Sequence, residues 1–473
     1  MRKILDKVSD FKNLKTTIIG SSSRVFALAA QFAIVIALSR ILEKSDFGNF
    51  MIVFSVYRLI GTSVGTGIAS VLLYHIARMK EEDAEHPLHR FALLVGLGIG
   101  LLCCAVLFFA SGMIAQAFAK PGIIMWLISM TPFLLLTLIS TISTGAFEGR
   151  GQVMQAILFT ETTPNFIRLV LLTPLPFLHL PTVWIAVIMA VSVAIPWLLS
   201  LRTLLPGSGW SVRAFTAWDY GYAAKLTVYN FAAYQVQGVD MIVAGSLFSS
   251  ADVADYAIAS RIASLFPFFL QLRVRMFGPV AARLLSENDQ GKLQHEVRAA
   301  KYFSMVLVTL TVAALLIASP LVLTMFWHSR SVTMLLVLMA FPPVYRALFA
   351  AGDRLLQVAG HANWNLGIMA ASFAVLCIIP AILAPRFGIL SLPIAMIISG
   401  FILNPVISMA VRRKVGVILN RPQDMLVVAG AAAAVIVPLL LARSAYLIFC
   451  SGFMFLALGL AYAALHRHDL KEI

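Results

Sequence analysis

Charge is what this sequence has least of. Only 12% of its 473 residues are charged and 60% are hydrophobic, against about 25% charged in ordinary soluble domains. A soluble fold of this length would bury a large core, yet it would still need a charged exterior, and the chain lacks the residues for one. The solvent around most of it is therefore hydrocarbon, as its mean hydropathy of +0.91 also indicates. Cysteine is scarce as well. Cys103, Cys104, Cys377 and Cys450 sit in apolar runs, with no Cys-x-x-Cys spacing. That argues against a disulfide framework or thiolate zinc site and reads them as small buried apolar residues. No histidine pair has metal spacing on an apolar run, and His86 and His89 read as solvated residues of a polar connection. Acidic residues number 21 against 36 basic ones, a net charge of +15. The basic residues are scattered over short connections, as on the cytoplasmic side of a membrane protein, and do not form a nucleic-acid surface. No cofactor and no nucleic acid is expected.

What the sequence has is long apolar runs. A spanning helix needs about 20 such residues, and fourteen runs qualify, near 17–39, 47–75, 91–118, 122–147, 153–178, 182–204, 223–248, 254–280, 302–326, 331–352, 362–384, 388–411, 424–442 and 444–465. The expected fold class is all-α, a polytopic membrane protein of about 14 transmembrane helices. The N-terminus lacks the apolar core and cleavage site of a secretory signal. Its Ile4, Leu5, Val8, Phe11 and Leu14 have helical spacing with lysines between, which reads as an interfacial helix on the cytoplasmic face. With this span count, 22 of the 36 basic residues fall on connections of the N-terminal side and 6 on the other. The excess places both termini in the cytoplasm.

Two pairs of short stretches recur. SDFGNF (45–50) and ADVADY (251–256) are 206 residues apart, and GRGQ (149–152) and VAGH (358–361) are 209 apart. Each pair falls at equivalent connections of two six-span sets. Six is even, so the copies enter the membrane from one side and form two lobes about an axis along its normal, a transporter architecture. The domains expected are an N-terminal lobe at 1–205, a cytoplasmic linker at 206–222, a second lobe at 223–413 and an added helix pair at 414–473. Trp210 and Trp218 of the linker suit a membrane interface. GTSVGTG (61–67) lies inside a span and suits close helix packing, not a phosphate cradle.

LSRILEKSDFGNFMIVFSVYRLI (38–60) resembles the opening signature of the polysaccharide-transporter family, the O-unit flippases of the multidrug/oligosaccharidyl-lipid/polysaccharide exporter superfamily. VDMIVAGSLFSSADVADYAIASRIAS (239–264) resembles that family's second-lobe signature through Asp240, Tyr256, Ala259 and Arg261. Ala254 stands where the family usually has Gly. The resemblance implies a non-enzymatic exporter in the bacterial inner membrane. It would flip an undecaprenyl-pyrophosphate-linked oligosaccharide by alternating access, with the polysaccharide polymerase machinery as a further partner beside the lipid bilayer.

The charged residues within spans bear on the same question. Eight basic residues remain there: Arg24, Arg58, Arg168, Lys225, Arg261, Arg273, Arg275 and Arg346. Each costs a few kcal/mol at mid-bilayer, so they are read as functional. Arg24, Arg58, Arg168 and Arg261 are placed to line a hydrated cavity. Arg273 and Arg275, in FLQLRVRMFGPV (269–280), lie near a cytoplasmic end, where either headgroup anchoring or substrate binding suits them. The guanidinium fork offers paired donors to a pyrophosphate at any physiological pH. Ion pairing with Glu161, with Asp240 or with a helix-end carbonyl is the structural alternative for each. In TETTPNFIR (160–168), Glu161 and Arg168 are seven apart and share a helix face, with Pro164 between them. Such a polar break is tolerated at membrane depth where it lines a cavity, and a packed kink is the alternative. Asp240 follows Lys225, Tyr229 and Gln237 in a polar series. Asp240 and Glu161 are the expected sites for coupling to a proton or sodium gradient. Two other functions stay open: a drug or cation antiporter of the same superfamily, and an integral membrane glycan ligase or polymerase. The short outer connections weigh against the last.

Overall fold

The structure is a computed structural model that describes residues 26–76, 85–178, 181–204, 238–327, 330–349, 351–421, 424–441 and 446–465, with the single positions 221 and 227. The expected N-terminal interfacial helix, Trp210, Trp218, Arg24, Lys225, Tyr229 and Gln237 lie outside the described residues, as does the 206–222 linker except for position 221. The chain forms two compact units, residues 1–238 and 239–473.

The first unit contains α1 (Phe26–Ile41), α2 (Lys44–Ile76), α3 (Glu85–Phe109), α4 (Ser111–Ala117), α5 (Ile123–Ser129) and α6 (Thr131–Gly149). A broken segment follows: α7 (Val153–Ile157), a π-helical turn over Leu158–Thr162, α8 (Thr163–Leu172) and α9 (Leu175–Leu178). The last helix is α10 (Val183–Leu204). The second unit contains α11 (Val239–Leu247), α12 (Ser250–Ala263), α13 (Phe268–Ser286), α14 (Gln290–Leu323), α15 (Arg330–Ala347) and α16 (Gly352–Val358). It continues with α17 (Ala362–Phe387), α18 (Ser391–Val415), α19 (Asp424–Leu441) and α20 (Leu447–Leu465).

The protein is an all-α, multi-pass membrane protein. Among the described residues seven helical stretches are long and apolar enough to cross a bilayer, or up to eight if α15 and α16, bent by 45°, are one span. Several of the fourteen expected runs are shorter or broken. The run at 254–280 divides into α12 and α13 at Pro267, whose ring cannot continue the ladder. The run at 302–326 begins twelve residues earlier, at Gln290, where Asp289 caps the helix by accepting from the Lys292 N–H at 3.0 Å. That takes Lys301 from the expected connection into α14.

Within lipid there is no hydrophobic drive to bring helices together, so close van der Waals fit decides which ones pack. Glycines set that fit between α2 and α6. A Cβ on Gly65 would lie 2.7 Å from Thr141 Cβ, one on Gly61 3.3 Å from Thr137 Cγ2, and one on Gly145 2.7 Å from Ala69 Cα. The pairs 61/137, 65/141 and 69/145 advance together, so the two helices run parallel in close contact, as expected for the glycine run at 61–67. Below them Ile68, Leu72, Leu138, Ile142 and Phe147 form a core with Leu88, Phe91 and Ala92 of α3. His89 is a correction to the sequence reading. It is fully buried on α3, with Nε2 3.5 Å from Ser143 Oγ, because α3 starts at Glu85 and takes in the polar residues before the apolar run. The cysteines are a second correction: only Cys104 is buried, Cys103 and Cys377 are half-buried, and Cys450 is exposed.

The second recurring pair has one local geometry in both units. Gly151 (φ 72°) and Gly360 (φ 82°) are left-handed and follow the helix-ending residues Arg150 and Ala359. The Gln152 N–H bonds the Phe147 carbonyl at 2.8 Å and the Gly151 N–H the Glu148 carbonyl at 2.9 Å. The His361 N–H bonds Leu356 at 2.9 Å and the Gly360 N–H Gln357 at 3.2 Å. Both are Schellman caps, which need a residue without a Cβ penalty at the left-handed position. At the first pair, α2 and α12 begin 206 residues apart, at Lys44 and Ser250.

In the second unit, Phe277, Leu284, Leu293, Val297, Leu355, Leu356 and Val411 pack α13, α14, α16 and α18 together. The C-terminal helix α20 lies along α14. Tyr302 and Tyr462 stack at 5.9 Å, and a Cβ on Gly452 would lie 2.7 Å from Ile317 Cγ1.

Candidate functional site

The polar side chains that an apolar chain must account for fall into separate clusters. In the first unit, Arg58 is exposed on α2, and its carbonyl accepts from Thr62 Oγ1 at 2.5 Å. Glu161 is exposed in the π turn, whereas Arg168 is only 8% exposed. The π turn is the physical reason that the shared face expected from a seven-residue spacing is not kept. Pro164 removes an N–H from the ladder, and the Thr163 N–H bonds Leu158, five residues back. The wider turn rotates what precedes it away from the α8 face.

Arg168 has its donors engaged inside the unit. Nε and Nη2 donate to Ser192 Oγ on α10 at 3.2 and 3.1 Å, and Nη1 donates to Asn165 Oδ1 at 3.4 Å. The guanidinium carbon stands 5.6 Å from the centre of the Phe133 ring. Asn165 donates to the Glu161 carbonyl at 2.7 Å, which ties the π turn to the same network. A buried charge needs such partners. Arg168 thus joins α6, α8 and α10.

In the second unit the structure brings together three of the four residues that carry the second-lobe signature. Tyr256 Oη donates to Asp240 Oδ2 at 2.7 Å, and the Arg261 charge acts on Asp240. Tyr256 and Ala259 are fully buried on α12. The motif therefore clasps α11 to α12. Arg273 and Arg275 lie on α13, and their side chains are outside the described set. Arg346 pairs with Asp353 at 3.0 Å across the α15–α16 bend. Among the described residues no three His, Cys, Asp or Glu side chains gather as metal ligands.

A feature missed in the sequence lies on α2 and α6. Arg58, Thr62, Thr66 and Ser70 follow at four-residue intervals, and none is fully buried. Thr141, Thr144 and Glu148 follow on α6 at spacings of three and four residues, and none of them is fully buried either. Thr141 itself packs on Gly65; the α2 series and Thr144 and Glu148 flank this contact, and because the helices run parallel they open on one side of it. The i, i+4 spacing of Arg58, Thr62, Thr66 and Ser70 is the signal in the sequence, interleaved with the glycines at 61, 65 and 67.

A family profile described as polysaccharide biosynthesis protein matches residues 37–330. No curated protein matches the chain in sequence. Among solved structures, an inward-facing multidrug resistance transporter of the MATE family, MOP superfamily, is 15% identical over 84% of this chain and 98% of its own, with a TM-score of 0.72. The lipid II flippase MurJ in an inward closed conformation is 12% identical over 97% and 99%, with a TM-score of 0.70. A MOP superfamily transporter from Pyrococcus furiosus, described by the reverse polarity of its binding pocket, is 16% identical over 85% and 94%, with a TM-score of 0.62. At these identities the likeness shows a shared fold. The sequence match extends over more than half of the chain, which belongs to the polysaccharide biosynthesis protein family.

Proposed function

We propose that this protein is a membrane transporter that moves a lipid-linked oligosaccharide with an anionic, undecaprenyl-pyrophosphate-type headgroup across the bacterial inner membrane by alternating access. The family match carries the reading. It is supported by the likeness to a lipid flippase over nearly the whole chain, where the multidrug transporter leaves a larger part unmatched. In this reading both termini are cytoplasmic and the polyprenyl tail stays in lipid while the head takes the polar route. Arg58 and Arg261, with Arg24, Arg273 and Arg275, serve the pyrophosphate. Arg168, held by Ser192 and Asn165, braces α6, α8 and α10 within the first unit. Glu161 and Asp240 couple transport to a proton or sodium gradient.

The test uses purified protein in liposomes with a polyprenyl-pyrophosphate oligosaccharide in one leaflet. Arg58→Ala should abolish flipping with insertion and folding intact, and Arg58→Lys should keep part of it if charge is what matters. Collapsing the gradient should slow flipping. Full activity of the alanine variant sinks the assignment of Arg58.

A drug or cation antiporter is a second reading, favoured by the multidrug resistance transporters that share the fold. The excess of intramembrane arginine argues against a cationic substrate. Uptake of a fluorescent organic cation, with no movement of the glycolipid, would establish it instead.

A further inference from the structure

We propose that the joint polar face of α2 and α6 is the surface along which the sugar part of the substrate is held. Arg58 stands at one end and Glu148 at the other. The inference rests on the reading of the protein as a transporter of lipid-linked glycan, and it names the part of the ligand this face takes.

From Arg58 to Ser70 the face runs about 18 Å along α2 at 1.5 Å per residue, the reach of several sugar rings. Between its charged ends it carries only hydroxyls: Thr62, Thr66 and Ser70 on α2, Thr141 and Thr144 on α6. Their hydrogens are in large part already used. Thr62 Oγ1 donates to the Arg58 carbonyl at 2.5 Å and Ser70 Oγ to Thr66 at 2.7 Å. Thr141 Oγ1 donates to Thr137 at 2.7 Å and Thr144 Oγ1 to Thr141 at 2.5 Å. A hydroxyl with its donor spent on the helix keeps lone pairs that accept from outside. The face is thus a row of neutral acceptors, which suits a neutral ligand rich in O–H donors. A row of this kind offers no fixed negative charge to a cation until Glu148 and no donor row to an anion. A sugar chain matches that description, while the pyrophosphate it is linked to matches Arg58. Because four of the five hydroxyls, all but Thr66, are satisfied within their helix, the face is stable when empty, and binding trades water for sugar.

The experiment combines Thr62→Val, Thr66→Val, Thr141→Val and Thr144→Val, which keep the β-branched shape and remove the acceptors. Two probes are reconstituted with the protein in liposomes: a polyprenyl pyrophosphate carrying a tetrasaccharide and one carrying a single sugar. The expected result is a roughly tenfold loss of tetrasaccharide transport, the size set by losing two or three neutral hydrogen bonds, with the single-sugar lipid moved at the parent rate. The corresponding Thr→Ser variant should restore transport. If the parent moves both lipids and the valine variant slows neither, or slows both equally, this inference is overturned and the transporter reading stands. If the parent moves neither, the transporter reading fails and this one with it. Should the valine variant not fold, single cysteines at 62, 66, 141 and 144, in a chain with its four native cysteines replaced, decide the matter. The tetrasaccharide lipid should slow their reaction with a charged maleimide severalfold; unchanged labelling overturns the proposal.

Discussion

Replacing Lys301 by methionine should be among the most damaging single changes outside the candidate site. Lys301 lies on α14 and Asp424 opens α19, 123 residues later. Their Nζ and Oδ2 atoms are 2.7 Å apart, and the side chains are 11% and 6% exposed. Asp424 Oδ2 also accepts the Arg421 N–H at 2.7 Å. In Lys301→Met the carboxylate keeps one amide donor and loses its counter-charge. Breaking a buried pair from one side costs about 3–5 kcal/mol, because the remaining charge is left in a low-dielectric site. Asp424→Leu strands the ammonium and should cost a similar amount. The double variant removes both charges, and such replacements are often neutral or stabilising. Here it also deprives the Arg421 N–H of its acceptor, about 1 kcal/mol. The double variant should therefore sit about 1 kcal/mol below the parent, and the cycle should give a coupling energy of at least about 5 kcal/mol. Denaturant titration in detergent micelles, followed by tryptophan fluorescence, reads all four proteins. Costs that simply add would refute the reasoning, since they would mean that water reaches the pair and screens it.

Three further outcomes are expected. Gly145→Ala forces α2 and α6 apart and should cost about 1–3 kcal/mol as overpacking; Gly98→Ala on α3, with nothing within 4 Å of the added carbon, should be neutral or stabilising by up to about 1 kcal/mol, and equal midpoints for the two would contradict the glycine fit. Gly151→Ala and Gly360→Ala each place a Cβ in the left-handed region, at a cost of about 1–2 kcal/mol, and neither should change expression of the other's unit in limited proteolysis. Tyr256→Phe removes the donor to Asp240 and should lower stability by about 1–3 kcal/mol, while Asp240→Asn, which keeps an acceptor oxygen, should lower it less; the reverse order in melting experiments would show that the carboxylate serves something other than the clasp.

What the sequence discloses depends on how local the controlling physics is. The start of α10, expected at 182 and found at Val183, follows from an apolar run with a polar residue before it. The recurring GRGQ and VAGH were visible as letters and turned out to be one cap, since a Schellman turn needs only a glycine and the turn before it. The signature residues Asp240, Tyr256 and Arg261 were recognisable as a set, but a list of letters does not say that Tyr256 and Asp240 bond to each other. The Lys301–Asp424 pair was out of reach because its partners meet only once α14 and α19 have packed. The Glu161–Arg168 face was misplaced because period counting assumes a regular helix, and Pro164 had already signalled that this one is not.

That misplacement bears on how the basic residues divide. Counted along the sequence, eight intramembrane cations form a single class. In the folded units they separate by what surrounds them. Arg168 is enclosed by Ser192, Asn165 and Phe133, and Arg346 is matched by Asp353 across a helix break. Arg58 is exposed beside a row of hydroxyls on two parallel helices. A guanidinium that closes a packed network must keep one geometry through every conformation the protein visits, so its loss should show first as loss of folded protein. A guanidinium on an exposed polar face leaves no charge or polar partner buried when it is removed, so its loss should show first in transport with folding intact. Measuring stability and flipping together for Arg168→Ala and Arg58→Ala therefore separates scaffold from binding surface, and both variants losing transport at unchanged stability would place Arg168 back among the groups that meet the substrate.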